Sequence, residues 1–307
     1  MKNIVFGIVA LYLVALWVGR LTAFGSEPAS TIQASAQIAA ERSFMLGATT
    51  TAVATPHPKP TARPVATPSL LAVELATPTP APTPPPPIAV PLCSSTACEF
   101  ASSNWSGYIV GNGPYGVVTG TFTVPNIVDS VAETVTAEWV GIDGINTNSL
   151  IQAGVVETYE PTGNRVTYRA WWEILPAEPV LVPIDWNQVS VLPGHRVTVT
   201  IWQVGGPLWA IKLTDNTTGQ SFTTEQSYSG PQASADWIVE VPTLAGATET
   251  LGEYSPAVKF SGLRITGSDT TTTRGSLVQG GAIVSVPSEL TAAGFTVAYG
   301  AVAPAAP

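Results

Sequence analysis

The stretch "ADWIVEVP", residues 235–242, is made of strong strand formers and is stopped by Pro242. Alternate side chains of a strand share a face, so Trp237, Val239 and Val241 point one way and Asp236, Ile238 and Glu240 the other. One face is wholly apolar, while the other sets two acids around an isoleucine. Burial of a carboxylate is costly unless donors meet it, so Glu240 is out of place in a purely structural strand. The segment predicts a strand in the core of a β structure whose second face carries polar chemistry.

The same period of two recurs on either side. "GVVTGTFTVP" (116–125), "HRVTVTIWQV" (195–204), "GAIVSVP" (281–287) and "GFTVAYG" (294–300) all alternate. "LWAIKLTDNTTGQSFTTE" (208–225) reads as a hairpin with its turn at "DNTTG". No segment shows helical periodicity. Many short strands punctuated by Gly, Pro and Asn predict an all-β sandwich or barrel.

The chain has 307 residues, of which 45% are hydrophobic and 11% charged, against about 25% charged in an ordinary soluble domain. The net charge of -9 argues against nucleic acid, which needs a basic footprint. A chain with few carboxylates also loses little stability through their protonation, so the composition is compatible with acid conditions.

Lys2 precedes an apolar run from Ile4 to Val18. Residues 1–25 are therefore expected to be a signal peptide or a membrane anchor, and the rest of the chain is expected outside the cytoplasm, secreted or held by an uncleaved N-terminal segment. Residues 26–54 read as a spacer or propeptide. Residues 55–98 form a Pro-rich linker, too dense in proline to pack a core. The domain is expected over 99–303. Cys93 and Cys98 are close enough for a local disulfide in an oxidising compartment. Two cysteines and two histidines, His57 and His195, do not make a convincing four-ligand set, so no metal and no other cofactor is expected.

Elimination narrows the chemistry. The chain has no GxSxG, no HExxH, no phosphate-binding glycine loop, and neither DTG nor DSG. Within the domain only His195 is available to a serine or cysteine centre, and it reads as a solvated turn residue. Carboxylate and amide chemistry remains. Alternation places Trp139 with Asp143, Gln152 with Leu150 and Gly154, and Trp171 with Glu173, each group on one face of its strand.

The ordered set "SNWSGYIV" (103–110), "WVGIDG" (139–144), "IQAGV" (151–155), "AWWE" (170–173) and "DWIVE" (236–240) resembles the glutamic peptidases, the eqolisin or G1 family. The resemblance runs from about Ser102 to Tyr299. It implies a lectin-like sandwich of two curved antiparallel sheets and an acid-active endopeptidase acting on polypeptides, expected as a monomer. The family's catalytic glutamine falls on Gln152 and its catalytic glutamate on Glu240. Trp139, Asp143, Glu173, Trp171 and Asp236 fall on supporting or substrate-binding positions. Three departures stand out. Val156 occupies a place where the family often has an acid, and Glu157 beside it should point to the opposite face. Asp236 replaces a glutamate, and Arg169 replaces an acid. A glycoside hydrolase using Glu173 and Glu240, or a non-catalytic glycan- or peptide-binding module, are the rival readings, because sandwiches host all three functions.

Overall fold

The computed structural model describes residues 88–89, 99–244, 247–266 and 271–307. The expected export segment and spacer, Cys93 and Cys98, and all of the Pro-rich linker except Ile88–Ala89 lie outside the described residues. No helix occurs among the described residues.

The strands follow one another as β1 (Ile88–Ala89), β2 (Glu99–Ser102), β3 (Trp105–Gly111), β4 (Val117–Thr123), β5 (Asn126–Ile127), β6 (Thr134–Asp143) and β7 (Leu150–Glu160). Then come β8 (Arg165–Leu175), β9 (Glu178–Pro183), β10 (Arg196–Gly205), β11 (Leu208–Asp215), β12 (Ser221–Ser227), β13 (Ala235–Glu240), β14 (Thr243–Leu244) and β15 (Ala247–Thr248). The chain closes with β16 (Tyr254–Ser255), β17 (Val258–Ile265), β18 (Thr271–Gln279), β19 (Ala282–Pro287) and β20 (Phe295–Tyr299).

One layer runs β12-β11-β10-β4-β17-β20 and the other β18-β3-β13-β6-β7-β8-β9, with β19 bridging β20 and β18 at the fold's corner. Hydrogen bonding is thus continuous from one layer into the other. Register shifts in β17, between Ser261 and Arg264, and in β18, between Leu277 and Val278, supply local bends near that corner. Neighbouring strands are antiparallel except β2, which lies parallel to β18.

The two layers differ in how they meet solvent. β12 alternates exposed and half-buried residues, and β4 alternates buried with half-buried ones. The outer face of β4 and β10 is a threonine ladder, with hydroxyl contacts Thr119–Thr200 (2.8 Å) and Thr121–Thr198 (2.7 Å). β6, in contrast, is buried at every position. Its inward residues Val140 and Ile142 join Val197, Ile211 and Phe260 in the core between the layers. Its other face carries a second apolar cluster containing Trp105, Trp139, Trp171 and Ile238.

β13 joins these two environments. Trp237 and Val239 enter the core between the layers and Ile238 the second cluster. The Trp237 indole donates to Thr119 O at 3.0 Å across the sandwich. Its ring occupies the space beside Gly120, where a Cβ would lie 2.5 Å from the ring. Gly120 is therefore the gap through which the two layers lock.

His195, expected as a solvated turn residue, instead lies 2.7 Å (Nδ1) from Asp215 Oδ2, and Asp215 also accepts from Thr217 N and Thr218 Oγ1. It ties the start of β10 to the β11–β12 turn.

The inward face of β6 and β7 also contains two acids. Glu138 and Glu157 are diagonal neighbours across these strands, both fully buried, and their four oxygens meet no hydrogen-bond donor. Tyr168, opposite Glu157 on β8, and Tyr254 complete the titratable surroundings. Desolvation pushes both carboxyls above their usual range, and Glu138 pushes Glu157 further. An acid whose pKa is raised on folding contributes its full stability below the unfolded carboxyl range and loses it as pH rises toward the folded value. The thermal midpoint is therefore expected to fall as pH is raised from about 4.5, and Glu157→Gln is expected to flatten that fall. Melting curves by circular dichroism at several pH values check this, and parallel pH dependences in the two proteins would contradict it.

Candidate active site

The site lies on the second face of the layer, away from the core between the sheets. The pairing of β3, β13, β6, β7 and β8 sets side chains of that face in rows. One row is Trp105, Glu240, Ala137, Val156 and Arg169. The next is Gly107, Ile238, Trp139, Gly154 and Trp171, and the third is Ile109, Asp236, Gly141, Gln152 and Glu173. Gln152 and Glu240 thus share a face, two strands and two pleat repeats apart. Strand spacing and rise put their Cα atoms roughly 16 Å apart, with the row of Trp139 between them.

Trp139 stands between them. Fully buried, it packs edge-on to Trp105, with ring centroids 4.9 Å apart. Its Nε1 donates to Glu240 Oε2 at 2.6 Å. Gly154 faces Trp139 on one side and Trp171 on the other, and a Cβ there would lie 2.0 Å from Glu138 O and 2.7 Å from Trp139 Cβ. The glycine two residues after Gln152 is thus required by the tryptophan that holds Glu240.

Glu240 ends β13 and is partly exposed, whereas Gln152 and Glu173 are buried. Its second oxygen, Oε1, accepts from Asn104 Nδ2 at 3.0 Å. Burial pushes the Glu240 carboxyl up to about 7, against the pull of the Trp105 and Trp139 indoles and the Asn104 amide. The Trp105 Nε1 itself makes no hydrogen bond of good geometry.

Gln152 Nε2 donates to Glu173 Oε2 at 2.6 Å. This contact leaves one amide N–H for other use and fixes the plane of the side chain. Gln152 Oε1 is buried and meets no donor. A buried acceptor left without a partner costs about 1–3 kcal/mol, a cost characteristic of groups kept for a ligand.

The remaining expected residues divide by what they touch. Asp143, at φ 72°, accepts from Tyr228 Oη at 2.5 Å, Gln232 N at 2.8 Å and Ala233 N at 2.6 Å. It anchors the segment leading into β13. Asp236 is fully buried, accepts from Ser234 Oγ at 3.3 Å through one oxygen, and has no partner on the other. Desolvation, then Asp143, pushes its carboxyl well above the usual range. Trp171 is buried in the apolar floor. Glu157 lies on the opposite face from Gln152, paired with Thr136 and Tyr168. Asn104 was not singled out by sequence reasoning. It lies within the "SNWSGYIV" motif, and the S-x-N spacing at Ser102–Asn104 suits a side-chain-capped turn before a strand.

Comparison with known proteins gives the chain's kinship and fold. Residues 103–298 match the model of the Peptidase A4 family. Aspergillopepsin-2 of Aspergillus niger is 28% identical over 173 residues, covering 48% of this chain and 58% of that protein. The chain thus spans a little over half the length of that relative. Among solved structures, scytalido-glutamic peptidase with a peptide-based transition state analog superposes with a TM-score of 0.55 at 22% identity, covering 64% of this chain and 98% of that one. SCP-B, a member of the eqolisin family in complex with the tripeptide Ala-Ile-His, gives 0.52 at 19% identity, with 64% and 98% covered. These two likenesses establish the sandwich fold, and the match over 103–298 establishes the kinship: the chain belongs to the Peptidase A4 family.

Proposed function

We propose that this chain is an endopeptidase that hydrolyses polypeptides with Gln152 and Glu240, and that it works outside the cytoplasm. Kinship with a peptidase family supports the reaction class. The observation that carries the assignment of residues is the shared face: Glu240 held by Trp139 and Asn104, and Gln152 held by Glu173 with its carbonyl unpartnered. Export rests on the apolar N-terminal run.

The reaction follows from these groups. Ionised Glu240 takes a proton from water as the water oxygen attacks the scissile carbonyl carbon. The carbonyl oxygen becomes an oxyanion, and the Gln152 N–H not used by Glu173 donates to it. The C–N bond then breaks, and Glu240 returns its proton to the leaving nitrogen. Trp139 fixes the carboxyl, and Glu173 fixes the amide. Asp143 contributes by anchoring the chain before β13, and Asp236 and Trp171 by shaping the floor. A two-carboxylate glycosidase is less well served, because Glu173 and Glu240 stand three strands apart and Glu173 is committed to Gln152.

Two outcomes are expected. With an unfolded protein as substrate, Glu240→Gln should lose roughly 10²–10⁴ in turnover, as for removal of a general base. Gln152→Ala should lose about 10²–10³, as for removal of an oxyanion donor. Both should keep the wild-type circular dichroism spectrum. Near wild-type turnover by folded Gln152→Ala would remove the glutamine from the mechanism.

The second outcome is a pH profile. The base-first order needs ionised Glu240, so kcat/KM should rise with pH on a limb whose midpoint is near 7. Falling stability from Glu138 and Glu157 opposes it, which sets the working range we propose at mildly acidic pH. A profile that falls through that limb would reverse the order and make Glu240 the first proton donor.

A further inference from the structure

Glu240 stands at the end of a strand, partly exposed, where a glutamate would ordinarily sample several rotamers. Trp139 holds only one of its oxygens. The other is met by the turn that enters β3, and the bonding of that turn fixes which atom Asn104 presents.

Ser102 is the key to the turn. It is 4% exposed, and its Oγ accepts from Asn104 N at 3.2 Å and from Trp105 N at 3.0 Å. A hydroxyl has two acceptor lone pairs and one proton. With both acceptor positions filled by backbone N–H groups, the proton must be donated, and it goes to Asn104 Oδ1 at 3.0 Å. The Asn104 amide therefore cannot be flipped: its oxygen faces Ser102, and its NH₂ faces Glu240 Oε1 at 3.0 Å. The backbone locks the same contact, because Asn104 O accepts from Val241 N at 2.9 Å, one residue beyond Glu240.

We propose that Asn104, oriented by Ser102, is a positioning residue for Glu240, fixing the plane of its carboxyl and favouring its ionised form. Oε1 and Oε2 are then each held by a neutral donor. Neutral donors favour the carboxylate over the acid without adding a charge that would trap the proton elsewhere. Glu240 can release and regain a proton within one reaction cycle. The assignment of a catalytic role to Glu240 rests on the reading above, but the ionisation of the carboxyl does not.

The test uses two readouts. Titration of the Glu240 carboxyl carbon by NMR, in folded protein and without substrate, is expected to show a midpoint higher by about one to two pH units in Asn104→Ala, the size of a hydrogen bond to a charged group. Ser102→Ala is expected to shift it in the same direction by less, and Ser102→Thr, which keeps the hydroxyl, to restore it. The rising limb of kcat/KM should move with the midpoint, and kcat should fall more than KM changes. An unshifted midpoint in folded Asn104→Ala overturns the proposal, even if activity drops, since a merely structural role could lower activity without moving the titration. A shifted midpoint in a chain that hydrolyses no peptide would leave the positioning role standing and overturn the peptidase reading alone.

Discussion

The central sheet layer is buried on both faces, and the rest of the structure depends on that constraint. A strand with one wet face can carry any polar residue there. β6, β7 and β13 have little or no such face, so each polar group on them must find a donor or stay neutral. Glu240 meets the requirement with Trp139 and Asn104, and Gln152 with Glu173. Asp143 meets it with a phenol and two backbone N–H groups. Where the requirement is unmet, at Glu138, Glu157 and one oxygen of Asp236, burial drives the carboxyl toward its neutral form.

This constraint links stability to chemistry. Trp237 fastens β13 to the opposite layer, and Trp139 fills the reverse face of the same sheet. The strand carrying Glu240 is therefore held from both sides before any hydrogen bond reaches the carboxyl. A base kept near neutrality and a core whose buried acids favour low pH act in opposite directions as pH rises. Their balance makes a protein of this build sensitive to pH in two separable ways, one through the rate of reaction and one through the persistence of the fold.

Much of this was legible in the sequence. Alternation along residues 235–242 assigned Trp237 and Glu240 to opposite faces, and the structure places them so. Alternation also put Gln152 with Gly154 and Trp171 with Glu173 on their strands. Cross-strand register was not legible, because local periodicity does not say which strands pair or where. Hence the Gln152–Glu173 bond, the role of Gly154 beneath Trp139 and the proximity of Glu138 to Glu157 appeared only in the fold. Asn104 was missed for a related reason: its partner lies far along the chain, and an S-x-N turn is common. Asp143 looked like a member of the reactive cluster, yet its left-handed backbone and three donors mark an anchor.

The mechanism requires that Gln152 and Glu240 act on one tetrahedral centre. The most direct measurement is the dissociation constant of a peptide carrying a tetrahedral transition-state mimic, beside that of the matching unreactive ground-state peptide, for wild type and Gln152→Ala. An oxyanion donor acts on the transition state and not on the ground state. The predicted result is a loss of about 10²-fold or more for the tetrahedral ligand, with little change for the ground-state peptide. Equal losses for both ligands, or no loss for either, would contradict it.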